Sequence, residues 1–185
     1  GDSSRLAAFK KWVKTYYQKI QKQKCAYCRM DVSLATGYFE IEHIIPKSVH
    51  PEWMYEPINL CVACSICNSS KKSKNVLNLD DYSKLPLSSS DYVIIHPHFD
   101  KYFDNIQIVD NLLYVGLTKK GINTIEICNL MRPELLLERA KNFIKSEQHD
   151  GAYSKLLIMY YQNLQFIGDF DGLLKKIEEL VELLG

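Results

Sequence analysis

The feature that most constrains this chain is a pair of cysteine knuckles, Cys25-Ala-Tyr-Cys28 and Cys64-Ser-Ile-Cys67. Four thiolates delivered as two CxxC pairs make the ligand set of a closed tetrahedral zinc site, which staples distant pieces of chain and leaves no open position for chemistry. Cys61-Val-Ala-Cys64 is a CxxC as well, so spacing alone offers two choices for the second pair. The six cysteines have disulfides as an alternative. Tight spacing, and opening residues that do not read as a secretion signal, point instead to reduced thiolates, metal and the cytoplasm.

A chain of 185 residues, 46% hydrophobic and 24% charged, is long enough for one good core or two small lobes and too apolar to stay disordered. It holds no apolar run of membrane-spanning length. Charge is unevenly placed. Residues 1–75 carry 12 Lys/Arg against 6 Asp/Glu, and residues 76–185 carry 11 against 16. A basic half suggests a polyanionic partner, although four thiolates around a dication would return about −2 of charge to that half.

Ser3 or Ser4 is placed to cap a helix running to about Gln23, with Leu6, Phe9, Val13, Tyr16 and Ile20 on its inner face and the lysines largely off it. Tyr38 to His43 alternates as a short strand that delivers Glu42 and His43 to opposite sides. Pro46 and Pro51 put His50 and Trp53 in a loop with at most one helical turn. Asn68 is a candidate N-cap for a helix bearing Lys71, Lys72 and Lys74. Residues 76–91 read as a linker or exposed loop. Beyond them, Tyr92–His96 and Leu112–Leu117 read as strands, the latter pairing with Ile106–Val109 across Asp110-Asn111. Three helices close the chain. The first opens at Pro133 and turns Leu136, Ala140, Phe143 and Ile144 inward, the second spans about Tyr153 to Phe166, and the third carries Leu173 to Leu184. The expected division is 1–75, 76–91 and 92–185.

The order Cys25-x-x-Cys28, Glu42-His43-Ile-Ile-Pro46, Asn59-Leu60-x-x-x-Cys64-x-x-Cys67-Asn68-x-x-Lys71 resembles the HNH, or ββα-metal, endonuclease motif in its zinc-knuckle form. The resemblance covers about residues 24–74 and implies an α+β chain with a ββα-metal core stapled by a four-cysteine zinc site, an N-terminal helix and a mostly helical C-terminal extension. Its asparagine spacing favours Cys64 and Cys67 as the second pair and leaves Cys61 as a small buried side chain. Phosphodiester hydrolysis needs a base for water and a cation for the phosphate charge. The resemblance makes His43 that base, Glu42 and Asn68 the ligands of Mg²⁺ or Mn²⁺, Asn59 a loop-fixing residue that orients the base, and Lys71 and Lys72 the phosphate contacts. Glu stands at 42 where Asp or His is commoner.

Val93 to Asn105, Lys120 to Ile125 and Asn129 to Leu135 resemble, more loosely, the C-terminal part of HNH nucleases found beside ATPases in bacterial anti-phage defence. This implies a DNA-cutting effector whose acidic extension docks an ATPase partner. The competing reading is a zinc-dependent nucleic-acid-binding module without catalysis, which has no use for Glu42, His43 and Asn68 together. A zinc deaminase is disfavoured, since it needs a His ligand and an open zinc position. His96-Pro-His98-Phe-Asp100 offers metal-ligating types, but reads first as a strand end and turn packed on the first lobe.

Overall fold

The computed structural model describes residues 2–31, 39–79, 82–109, 113–133, 135, 136 and 139. The chain divides into two units, residues 1–135 and 136–185. The helices expected beyond Pro133 belong almost wholly outside the described residues, as does the turn at 110–112.

The described elements are α+β. Helix α1 (Asp2–Ile20) leads to β1 (Phe39–His43), β2 (Leu60–Cys64) and α2 (Ser65–Lys71). A hairpin of β3 (Ile106–Val109) and β4 (Leu113–Gly116) then precedes α3 (Lys119–Ile127). β1 and β2 pair antiparallel, with Glu42 opposite Cys61 and His43 opposite Leu60. This antiparallel pair followed by a short helix is the ββα arrangement that the resemblance implies.

Helix α1 starts at Asp2, so Ser3 and Ser4 lie inside its first turn rather than capping it. It ends three residues early because Lys22 and Gln23 take positive φ values of 53° and 58°. Its buried face also differs from expectation. Val13, Tyr17 and Gln18 are buried, whereas Leu6, Phe9, Tyr16 and Ile20 are exposed. The reason lies in the second half of the helix, which is rotated to serve β2. The Gln21 amide bonds both the Val62 carbonyl (2.8 Å) and the Val62 N–H (2.9 Å), and Tyr17 Oη donates to the Pro57 carbonyl at 2.5 Å. Gln21 thus pairs the Val62 N–H on the outer edge of β2 and shares the Val62 carbonyl with the Ala26 N–H at 3.1 Å.

Tyr92–His96 is not a strand. Tyr92 forms an isolated bridge with Leu77, and the Asp100 carboxylate captures the His96 N–H at 2.7 Å, turning the chain at Pro97. Between these parts Val76, Leu77 and Pro86 are buried. Helix α3, which periodicity did not announce, is capped by Thr118 Oγ1 accepting from the Gly121 N–H at 3.1 Å. A Cβ at Gly121 would run into the Asn105 carbonyl oxygen, so only glycine lets α3 approach the turn before β3 this closely. The β3–β4 region anchors the first cysteine knuckle. Tyr102 Oη donates to the Tyr27 carbonyl (2.8 Å) and Tyr114 Oη to the Cys28 carbonyl (2.6 Å).

Candidate metal centre and nuclease site

Cysteine sulfurs converge first. The Sγ atoms of Cys25, Cys28, Cys64 and Cys67 all lie within 4.8 Å of one another, the only such cluster of metal-binding side chains among the described residues. Cys28 and Cys64 sulfurs are 3.9 Å apart. Four sulfurs about 2.3 Å from a tetrahedral zinc stand about 3.8 Å apart, so the donor set and its spacing fit that ion. Cys61 is fully buried outside the cluster. Backbone N–H groups of Cys64 and Cys67 donate to Cys25 Sγ (3.3 Å) and Cys64 Sγ (3.4 Å), as expected for acceptor thiolates. Cys64, not Asn68, is therefore the N-cap of α2. Arg132 adds a cation that the motif did not announce. It is buried, its guanidinium donates to Cys67 Sγ at 3.5 Å, and it also bonds the Cys128 and Asn129 carbonyls.

β1 then sorts the acidic and basic groups by its alternation. Glu40 and Glu42 share the face under α2. Glu42 is 4% exposed, and its Oε1 accepts from Lys71 Nζ at 2.6 Å and from Tyr27 Oη at 3.2 Å. Burial pushes the Glu42 carboxyl up against the pull of Lys71. Lys71, expected beside Lys72 as a phosphate contact, is 0% exposed and also donates to the His43 carbonyl at 3.0 Å. Only Lys72 reaches solvent, at the end of α2 where φ is 47°. Asn68 Nδ2 meets Glu40 Oε2 at 2.5 Å, and the two line an open recess with Ser65, Ser69 and Lys72. Glu40 was missed in the motif. Its signal was its place two residues before Glu42 on the same strand face.

His43 points to the other side. Its Nε2 lies 3.1 Å from the Met54 carbonyl. A carbonyl can only accept, so Nε2 carries the hydrogen and Nδ1 keeps its lone pair. Burial lowers the His43 pKa, and Lys47 and Lys71 add to this, so the ring is neutral at neutral pH. Asn59, fully buried, bonds the Ile45 N–H (2.7 Å), the Ile45 carbonyl (3.1 Å) and the Trp53 carbonyl (3.1 Å). Those bonds fix the loop that supplies the Met54 carbonyl. His50 stacks on Trp53 at 3.9 Å and bonds Glu52, away from the motif.

Residues 25–74 match the family model described as HNH endonuclease. The segment that carries the four cysteines is therefore similar to HNH endonucleases. Beyond it, the chain is 29% identical to Septu protein PtuB of Bacillus mycoides (strain KBAB4) over 91% of its own length and 63% of that protein. It is 27% identical to Septu protein PtuB of Bacillus thuringiensis over 69% of its length and 44% of the relative. The chain thus spans about half the length of the curated relatives it matches. The matched segment holds Glu40, Glu42, His43, Asn59, Asn68 and all four cluster cysteines.

His96, His98 and Asp100 do not converge on a metal position. His98 Nε2 bonds the Leu60 carbonyl at 2.7 Å, and Asp100 is held by Lys120 and Ser89 at 2.8 and 2.6 Å. Among the described residues no helix is long and apolar enough to cross a membrane.

Proposed function

We propose that this chain is a metal-dependent endonuclease that hydrolyses DNA phosphodiester bonds, with the HNH domain as its catalytic part. The observation that carries the reading is His43. Inside the matched segment it is a neutral imidazole whose Nε2–H is spent on Met54, leaving Nδ1 to take a proton from water. Glu42 and Asn68, with Glu40 beside Asn68, would hold Mg²⁺ or Mn²⁺, whose hard-cation chemistry suits oxygen donors. Such an ion would supply charge stabilisation to the phosphate and the departing oxygen. Lys71 opposes the burial that raises the Glu42 carboxyl and holds it in place, Asn59 holds the loop that orients His43, and Lys72 would meet a phosphate. Zinc held by Cys25, Cys28, Cys64 and Cys67 would fix both ends of this segment. The resemblance to Septu PtuB proteins supports a place in bacterial anti-phage defence; an ATPase partner docking on the C-terminal extension, and a cytoplasmic setting that keeps the thiols reduced, belong to the same proposal. The non-catalytic nucleic-acid-binding module remains the second reading, favoured by one observation: the Glu42 carboxylate already has its charge met by Lys71.

The test is cleavage of plasmid and single-stranded DNA with Mg²⁺ or Mn²⁺, comparing wild type with His43→Ala. Loss of general-base catalysis is expected to cost about 10²–10⁴-fold. With the His43 pKa lowered, wild-type cleavage rises with pH through a midpoint below 6.5 and is flat above neutrality. DNA bound but uncut under every metal, with the partner present, establishes the binding module instead.

A further inference from the structure

Helix α1 carries a stripe that its packing leaves bare. Arg5, Phe9, Trp12, Tyr16 and Lys19 follow one another at alternating steps of four and three residues, which places them on a single ridge. Trp12 is 61% exposed and Tyr16 46%, and their rings stack at 5.3 Å and 12°. Phe9 meets Tyr55, 57% exposed, edge to face at 5.8 Å. Surface aromatics in such a row are costly to leave in water without a use. A basic residue closes each end of the ridge. The helix as a whole carries five basic residues against one acidic, and the charge complement of this face is an anion. The ridge also leads toward the chemistry, because Tyr55 follows Met54, whose carbonyl holds His43.

We propose that this ridge is a stacking platform for a single-stranded stretch of the nucleic-acid substrate, whose bases lie on Trp12, Tyr16 and the Phe9–Tyr55 pair while Arg5 and Lys19 meet its phosphates. The inference rests on the nucleic-acid reading of the HNH domain but does not require catalysis. Aromatic faces accept every base, so the platform binds without sequence preference.

The experiment measures binding of fluorescein-labelled oligodeoxythymidine, with blunt duplex as competitor, without added divalent metal. Trp12→Ala and Tyr16→Ala are each expected to weaken binding by about 5- to 100-fold. Trp12→Phe retains most of the affinity, and Arg5→Gln with Lys19→Gln flattens the salt dependence. Trp12 is exposed and Trp53 is 7% exposed, so wild-type tryptophan fluorescence is quenched by the oligonucleotide and Trp12→Phe abolishes the quench. All these positions are surface ones, and circular dichroism verifies folding. If both alanine variants bind the oligonucleotide within about twofold of wild type, the platform is refuted, and loss of a protein partner by the same variants would assign the ridge to that partner instead. Plasmid cleavage on the same samples separates the two claims. His43-dependent cutting with unaffected stripe variants removes the platform alone, whereas stripe-dependent binding without any cutting under every metal and with the partner present keeps the platform and removes the nuclease.

Discussion

A carboxylate and an ammonium withdrawn from water lose more hydration free energy than their attraction returns unless the geometry is close and the remaining polar atoms are bonded. Glu42 and Lys71 meet that condition at 2.6 Å, with Tyr27 and the His43 carbonyl as further partners. Removing one charge strands the other inside the protein. Glu42→Gln and Lys71→Met are therefore each expected to cost about 3–5 kcal/mol in urea unfolding. The double variant should cost much less than the two added together, and simple additivity would show that the charges do not act as a pair. The same reasoning explains why the motif misassigned the setting of Lys71. A lysine three residues after Asn68 looks like a phosphate contact on a helix surface, and nothing in one dimension shows that β1 lies across that turn of α2.

At the scale of elements, α2 is a short helix between two charges of opposite kind. Its N-terminal end grows out of the sulfur cluster, where four thiolates around a bound dication would leave about −2 of charge. Arg132 stands against that charge. Burial alone would lower its pKa, but the Cys67, Cys28 and Cys64 sulfurs outweigh burial and raise it. A hydrogen-bonded cation draws electron density from a thiolate and slows its attack by electrophiles. Arg132→Met is expected to speed zinc release by a thiol-reactive mercurial several-fold. An unchanged release rate beside a lowered melting temperature would reduce Arg132 to a cap on the Cys128 and Asn129 carbonyls. Helix α1 shows the opposite weakness of periodicity. Its 3.6-residue pattern identified a helix, yet the apolar residues it grouped are mostly exposed, because Val13, Tyr17 and Gln18 form the buried face, with Tyr17 bonded to the Pro57 carbonyl and Gln21, just past the helix, bonded to Val62 of β2.

At the scale of the molecule, the unit formed by residues 1–135 is held by polar ties that cross long stretches of chain. Tyr102, Tyr114 and His98 reach back to the carbonyls of Tyr27, Cys28 and Leu60. His96 sits among them fully buried, its Nε2 unpaired. Burial, then nearby His98, lowers its pKa to about 3, with Asp100 pulling upward and Lys120 downward. Unfolding releases it to the ordinary value near 6.5. Between those values the unfolded chain holds a proton that the folded chain lacks, so stability falls as pH drops from 6.5 toward 3, by about 1.4 kcal/mol per pH unit for that proton. His96→Phe should flatten the dependence of the melting temperature on pH over the upper part of that window, whatever it does at pH 7. An equally steep slope in the variant would place the proton uptake elsewhere.

Much of the segment from residue 25 to 74 was determined by the sequence alone. The order of the two CxxC pairs, Glu42-His43, Asn59 and Asn68 is local and discrete, and each element between them is short enough for alternation and proline to mark its limits. The cluster of Cys25, Cys28, Cys64 and Cys67 was legible for the same reason, since the residue types that suit a metal are written in the sequence. What only the tertiary structure decided depends on which surfaces meet. The burial of Lys71 against Glu42, the pairing of Glu40 with Asn68, the turn at His96, the reach of Arg132 to Cys67 and the bare ridge of α1 all arise between residues far apart in the chain. No periodicity records such a meeting, because it is set by packing across the core.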